Sequence, residues 1–541
     1  MKKRIISFLL CTNLLVLSLC GRLFNLTTEP QLASTQSSTR VKRIDTKRGM
    51  IYDRSLVPLV NTADTTMLII SPTSKALAFL KANGYSNDVI KNVVDGYLTI
   101  TESKTSVPHS GGNDIREIKA TERYCDATLL HVIGYLDKSG DGVCGIEKHF
   151  NQYLKDASGT ISVVYNTDAT GRMLLNEGIE IRNEEYYSRS GIVLTIDKDI
   201  QEITEKALKN NGIKTGAAIV MDTRSGEILA CASTPVYDRE NLSKYITRTD
   251  SPFINRAFTA YPLGSIFKIV TSAAALESGI TPPDFMCKGS IVKNGTTFNC
   301  SKLDGHGQIN FDTAVAKSCN PYFIELGVST GGEAIIEASQ RLGFGKSTDL
   351  GNGMASDSGI LPTVDELNSD ASVGNLSFGQ GKLTATPLQV ASLMTIIAND
   401  GYSKEPKLIA GFTDDKGNFT PNLESPSREF LKKETCLAIK SAMTETVKTG
   451  TGKAAFSSLY TCCTKTATAQ SGQYNADGTE VMYCWFSGFF PAESPRYAIC
   501  IMNENGVSGG GDCGPVFKEI AESIIAIERT NVNKNSTTDP F

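Results

Sequence analysis

Histidine is scarce in this chain: His109, His131, His149 and His306 are the only four in 541 residues. Three precede the β-rich run that begins at Ile192, and the fourth sits in the loop Asp304-Gly305-His306-Gly307. A Ser-His-Asp mechanism therefore has little material. No H-E-x-x-H or P-loop signature occurs. Basic residues are not gathered: the net charge is -4 and Lys and Arg are scattered, which argues against a nucleic-acid partner. Cysteine is plentiful, at fourteen, but C-x-x-C pairs and Cys/His groups with zinc spacing are lacking. The expectation is no metal, with most cysteines acting as small buried hydrophobes. Cys287 and Cys300 stand apart. They flank Lys288 to Asn299, a Gly-containing stretch able to form a hairpin, and a disulfide between them stays open.

Long apolar runs are confined to one place. Lys2, Lys3 and Arg4 precede an apolar stretch from Ile5 to Gly21. As a helix it would be about 26 Å long, slightly short for a bilayer core. A snorkelling Arg22 would let Leu23, Phe24 and Leu26 extend it. The basic flank predicts a cytoplasmic N-terminus and an exported body. Cleavage is the rival reading, yet Leu19 is bulky where a lipoprotein site before Cys20 wants a small residue. Residues 1–26 are therefore expected to be an uncleaved, single-pass transmembrane anchor.

Residues 27–43 are rich in Thr, Ser and Gln and read as a linker. Residues 44–190 mix short helical and strand-like pieces, with helices expected at Ser74–Gly84 and Asn87–Tyr97 and a strand at Gly159–Tyr165. From 191 the pattern changes. Gly216–Met221 and Glu227–Ser233 read as two strands joined by the turn Asp222-Thr223-Arg224-Ser225-Gly226. Helical patterns follow, and strands return at Met482–Phe490 and Tyr497–Glu504. Strands at both ends with helices between predict an α+β domain over 191–530 whose termini share one sheet. Residues 531–541 are polar and read as a disordered tail.

Without histidine, a serine can be activated by a neutral lysine one helical turn away. Two Ser-x-x-Lys tetrads occur, Ser265-Ile266-Phe267-Lys268 and Ser290-Ile291-Val292-Lys293. The first follows the turn Tyr261-Pro262-Leu263-Gly264 and opens an apolar helical run. The second reads as a strand ending in Asn294-Gly295, where residues i and i+3 point to opposite faces. Ser265 and Lys268 are therefore chosen. Ser318 and Asn320, and Lys465 with Thr466, Ala467 and Thr468, add hydroxyls, an amide and a cation downstream.

The set Ser-x-x-Lys, Ser-x-Asn, Lys-Thr-Gly is the signature of penicillin-binding proteins and serine β-lactamases, and this chain resembles that family. Val193-Leu194-Thr195-Ile196-Asp197, Gly305-His306-Gly307, Phe378-Gly379-Gln380-Gly381, Thr386-Pro387-Leu388-Gln389 and Trp485–Pro491 resemble further landmarks of its transpeptidases. Arg48–Arg54 and Gly142–Glu147 resemble elements of the class B N-terminal pedestal. The resemblance implies a β-lactamase/transpeptidase-like domain, an antiparallel sheet flanked by helices, behind an irregular pedestal domain.

It further implies a peptidoglycan D,D-transpeptidase of the outer face of a bacterial cytoplasmic membrane. Its substrates would be D-Ala–D-Ala stem peptides, β-lactams would bind covalently, and no cofactor would be required. Ser265 would be the nucleophile, Lys268 the base and Ser318 the proton relay. Asn320 would hold the donor peptide's amide. Lys465, Thr466 and Thr468 would bind the terminal carboxylate. A multi-spanning membrane glycosyltransferase is the implied partner. A D,D-carboxypeptidase and a non-catalytic penicillin-binding sensor or scaffold stand as alternatives. A β-lactamase is disfavoured, because Val364 stands where its glutamate would be. Two stretches depart from the family: in the third motif Ala467 replaces glycine, where a methyl could crowd the substrate and the nucleophile helix. Ser55-Leu56 replaces a common Asn-Gly.

Overall fold

In the computed structural model, residues 2–28, 37–105, 114–125, 127–475 and 477–537 are described. The chain forms two compact units. The first comprises Met1–Arg48, Val60–Cys125 and Ala157–Ser188; the second comprises Gly49–Leu59, Asp126–Asp156 and Arg189–Phe541. The division therefore does not follow one cut near residue 190.

In the first unit, α1 covers Lys2–Thr28. Among the described residues, no helix is long and apolar enough to cross a membrane. Strand Ser38–Lys47 begins inside the stretch that reads as linker; its polar side chains stay exposed while its backbone pairs with Gly159–Thr167. A second sheet centres on Ala63–Ile70, between Thr99–Glu102 and Ile115–Glu122. Helices Ser74–Ala82 and Asn87–Val94 start where Thr73 and Ser86 cap them. Leu68, Ile70, Ala76, Leu80, Tyr85, Val93 and Ile115 form the core between this sheet and the helices.

In the second unit, Met50–Tyr52 pairs in parallel with Gly191–Leu194. The segment Arg48–Arg54, expected to open the pedestal, thus contributes a strand here. The turn after it forms without Asn-Gly. Leu56 takes φ 63°, and Asp53 Oδ1 accepts from the N–H groups of Ser55 and Val57.

The site rests on helices α2 (Lys198–Asn210), α3 (Phe267–Glu277), α4 (Asn320–Thr330), α5 (Pro387–Ala398) and α6 (Gly514–Thr537). Its strands are β1 (Gly216–Asp222), β2 (Ile228–Thr234), β3 (Phe285–Cys287), β4 (Ser290–Lys293), β5 (Thr296–Asn299) and β6 (Gly307–Ile309). Strands β7 (Cys463–Tyr474), β8 (Glu480–Phe490) and β9 (Tyr497–Glu504) complete the set. The main sheet runs β2-β1-β9-β8-β7, every pair antiparallel. The early hairpin and the late strands do share one sheet, as the sequence pattern predicts. α2 and α6 bury Ile200, Leu208, Phe517 and Ile524 against Ala218, Ile501 and Phe486 on one face. α5 packs against β1, β8 and β9. Two-sided burial explains why these strands read as continuous apolar runs rather than alternating ones. The last helix extends past Asn531 to Thr537, into the segment expected to be disordered; 538–541 lie outside the described residues.

Candidate active site

Gly264–Ile266 forms a 3₁₀ turn that runs directly into α3. Gly264 has φ 62°, and a Cβ there would come within 3.0 Å of the Ala469 methyl on β7. A Cβ on Gly379 would collide with Gly264 O at 1.9 Å. The two glycines let the turn lie against the edge strand on one side and the Phe378–Gly381 segment on the other. Ser265 is half-buried at the head of α3, and Lys268 follows one turn later, fully buried.

Lys268 Nζ lies 3.0 Å from Ser265 Oγ, 2.8 Å from Ser318 O, 3.1 Å from Ser318 Oγ and 2.7 Å from Asn320 Oδ1. Burial pushes its ammonium down to about 7. Lys465 Nζ, also fully buried, reaches Ser318 Oγ at 3.0 Å and Thr466 O at 2.7 Å. Burial, then the charge of Lys268, lowers it as well. Ser318 Oγ thus sits between two amines. Its φ of 53° is a left-handed conformation that costs a non-glycine residue on the order of 1 kcal/mol or more. Asn320 opens α4; its Nδ2 donates to Asn299 O at 2.9 Å while its Oδ1 accepts from Lys268. Protein groups engage both ends of this amide, leaving one N–H and one lone pair for a ligand.

β7 is the edge of the main sheet. Lys465, Ala467 and Ala469 alternate onto one face of it, and Thr466 and Thr468 onto the other. Ala467 pairs with Trp485, whose Nε1 donates to Pro262 O in the turn before Ser265. The Ala467 methyl is 3% exposed. It shares its face of β7 with Ala469, whose methyl lies against Gly264 in the turn before Ser265. Thr466 Oγ1 lies 2.6 Å from Thr451 Oγ1, a partner that sequence reasoning missed, and Thr468 Oγ1 accepts from Gly509 N at 3.1 Å.

The other candidates separate cleanly. Ser290 and Lys293 lie on β4, paired with β5, and Lys293 forms an ion pair with Glu325 at 2.9 Å. Glu366, two residues after the Val364 that argues against a β-lactamase, is engaged by Lys382 and Thr363. His306 takes no part in the lysine cluster; its Nδ1 lies 3.4 Å from Cys300 Sγ. Cys287 and Cys300 are free thiols, buried with Cys319, rather than a disulfide.

Residues 216–522 match the penicillin binding protein transpeptidase domain family. The chain is 31% identical over 530 residues to Penicillin-binding protein PbpB of Mycolicibacterium smegmatis, covering 93% of this chain and 77% of that protein. It is 31% identical over 413 residues to Peptidoglycan D,D-transpeptidase FtsI of Buchnera aphidicola, covering 73% and 68%. The fold matches that of penicillin binding protein 3 of Mycobacterium tuberculosis complexed with ampicillin, with TM-score 0.65 at 23% identity over 91% of this chain and 97% of that one. With more than half of its length in the family's domain, the chain belongs to the penicillin-binding protein transpeptidases and falls among the class B members.

Proposed function

We propose that the protein is a peptidoglycan D,D-transpeptidase that works through an acyl-enzyme on Ser265 and binds β-lactams as covalent adducts. The observation that carries this reading is Lys268 Nζ, buried and within 3.1 Å of both the Ser265 and the Ser318 hydroxyls. Burial, which lowers it to about 7, favours the neutral amine that a base requires. A neutral amine has two N–H bonds and one lone pair. The nearest partners, Ser318 O and Asn320 Oδ1, can only accept, so they take the two N–H bonds. The lone pair is left for a serine proton, which makes Asn320 a positioning group for the base.

Ser265 Oγ attacks the carbonyl carbon of the penultimate D-Ala as its proton passes to Lys268. The backbone N–H groups of Ser265 and Thr468 stabilise the oxyanion, a contribution of about 3 kcal/mol. The bond to the terminal D-Ala breaks, and Ser318 Oγ, bridged to both lysines, delivers a proton to the leaving amine. An amine of a neighbouring stem peptide then attacks the ester carbonyl, the bond to Ser265 Oγ breaks, and the proton that the amine loses passes through Lys268 to Ser265 Oγ. Lys465, Thr466 and Thr468 receive the terminal carboxylate, and the free edge of β7 supports pairing of the peptide as an added strand. A β-lactam acylates the same oxygen, its ring opening without a departing group.

The cytoplasmic membrane, with the body outside, is the proposed location. Leu9, Leu10, Leu14, Leu15, Leu17 and Leu19 of α1 stand more than half exposed, an apolar surface that lipid would cover. The helix is about 40 Å long, so its full length suits a single-pass anchor better than its apolar part alone. A multi-spanning glycosyltransferase is the proposed partner of the first unit.

The test is turnover of a stem-peptide thioester with an acceptor amine, followed by mass spectrometry. A cross-linked product supports the transpeptidase. Hydrolysis alone would identify a carboxypeptidase, and no acylation by thioester or β-lactam a scaffold.

A further inference from the structure

β9 ends at Glu504, and the chain then crosses to the turn Gly509–Cys513, which leads straight into α6. The turn lies against β7. A Cβ on Gly509 would come within 2.3 Å of Ala467 O, and one on Gly510 within 2.6 Å of Thr451 O. Gly509 N donates to Thr468 Oγ1 at 3.1 Å. Thr451 Oγ1, on the other side of the turn, lies 2.6 Å from Thr466 Oγ1. The turn therefore backs both threonines that the proposed function assigns to the substrate carboxylate.

One carboxylate holds this turn. Asp512 Oδ2 accepts from Val507 N at 2.6 Å, Ser508 N at 3.2 Å and Asn503 Nδ2 at 3.4 Å. It thus ties the entry of the loop to its exit and to the end of β9. Ser508 Oγ adds one bond, accepting from Gly511 N at 3.0 Å. Packing does little here, since Val507 is 86% exposed. Asp512 also reaches the strand next to Thr468. Cys484 pairs with Thr468 across β7 and β8, and its thiol is pushed up to about 12 by burial first and then by the charge of Asp512. A Cβ on Gly506 would lie 2.5 Å from Asp512 Oδ2 and 2.8 Å from Cys484 Sγ, so the bare glycine lets the two come together.

We propose that Asp512 is a positioning residue for carboxylate recognition, acting through Gly509 and Thr468. The inference rests on the proposed function. A hydroxyl offers one proton and two lone pairs, and a carboxylate can only accept. Thr468 therefore aids a carboxylate only when its own proton points to it. The Gly509 N–H occupies one lone pair and turns that proton away from the glycine turn. Asp512 is what keeps Gly509 in place to do so. The contacts that join Ser265, Lys268, Ser318 and Lys465 do not include Asp512. Its loss should weaken recognition of the carboxylate and leave the proton path intact.

The test uses the full chain in detergent and two matched compounds, benzylpenicillin and its methyl ester, which lacks the carboxylate. The readout is the ratio of their second-order acylation rate constants, acid over ester. Asp512→Ala should lower that ratio about tenfold, by slowing the acid while the ester stays within about twofold. The donors it frees sit on exposed Val507 and Ser508, where water can serve them. Asp512→Ser, with the same fall expected, is the second variant should the first not fold. Asp512→Asn, which keeps a carbonyl oxygen for the same donors, should stay within about threefold of wild type. Thr468→Val should lose the same tenfold, and Asp512→Ala added to it should lose no more. Equal slowing of acid and ester, or an unchanged ratio in folded Asp512→Ala or Asp512→Ser chain, overturns the inference alone. Losses that multiply in the double variant overturn the route through Thr468. A wild-type chain that neither compound acylates overturns the proposed function, and this inference with it.

Discussion

Ser265–Lys268 and Ser290–Lys293 are the same tetrad in two settings. At the head of a helix the spacing stacks the two side chains, and Nζ lies 3.0 Å from Oγ. On β4 the same spacing sends them to opposite faces, and Lys293 leaves for Glu325. Burial widens the difference. Lys268 is fully enclosed and titrates near 7, whereas Ser290 is exposed on a hairpin. A motif thus becomes chemistry only when secondary structure joins its residues and a dry environment shifts one of them.

The comparison can be broken most forcefully at the two lysines. Lys268→Met should slow β-lactam acylation by about 10²- to 10⁴-fold, the usual worth of a general base. Lys293→Met should leave the acylation rate within about twofold, because it removes only a half-exposed ion pair. Stopped-flow acylation of both variants decides the matter, and equal losses would erase the distinction.

The pH profile sharpens the same contrast. Lys268 must be neutral to take a proton, and burial has lowered it to about 7. The acylation rate should therefore fall about tenfold for each pH unit below that value and level off above it. A profile still rising to pH 10 would mean that an unshifted lysine is the base.

The smallest effect is expected at Ala467. Ala467 is buried within β7, so Ala467→Gly should cost about 1 kcal/mol of stability. Acylation should stay within about threefold, since the lysine–serine contacts do not involve the methyl. Calorimetry and acylation kinetics on the purified variant check both. A rise of tenfold or more would mean that the methyl obstructs substrate.

The contrast also explains what was legible in the sequence. The nucleophile pair is local, one helical turn apart, and its turn and apolar run announce the helix. The hairpin Gly216–Ser233 was legible because its turn residues separate two apolar runs. The sequence offers Lys465 as a cation beside two hydroxyls, but that it meets Ser318 Oγ across the site depends on tertiary packing. The thiol cluster was hidden for a related reason. Its side chains lie on four separate short elements, joined by close backbone contacts at glycines, so no fixed spacing marks them. The strand Ser38–Lys47 was missed because its exposed side chains carry no apolar pattern and only its backbone pairing defines it.

The central claim is that Ser265, and not its strand-borne counterpart, is the residue acylated. Digestion and mass spectrometry of the full chain after β-lactam treatment test it most directly. The account predicts one adduct, on the peptide containing Ser265, absent in Ser265→Ala and unchanged in Ser290→Ala. An adduct on the Ser290 peptide, or one that persists in Ser265→Ala, would contradict it.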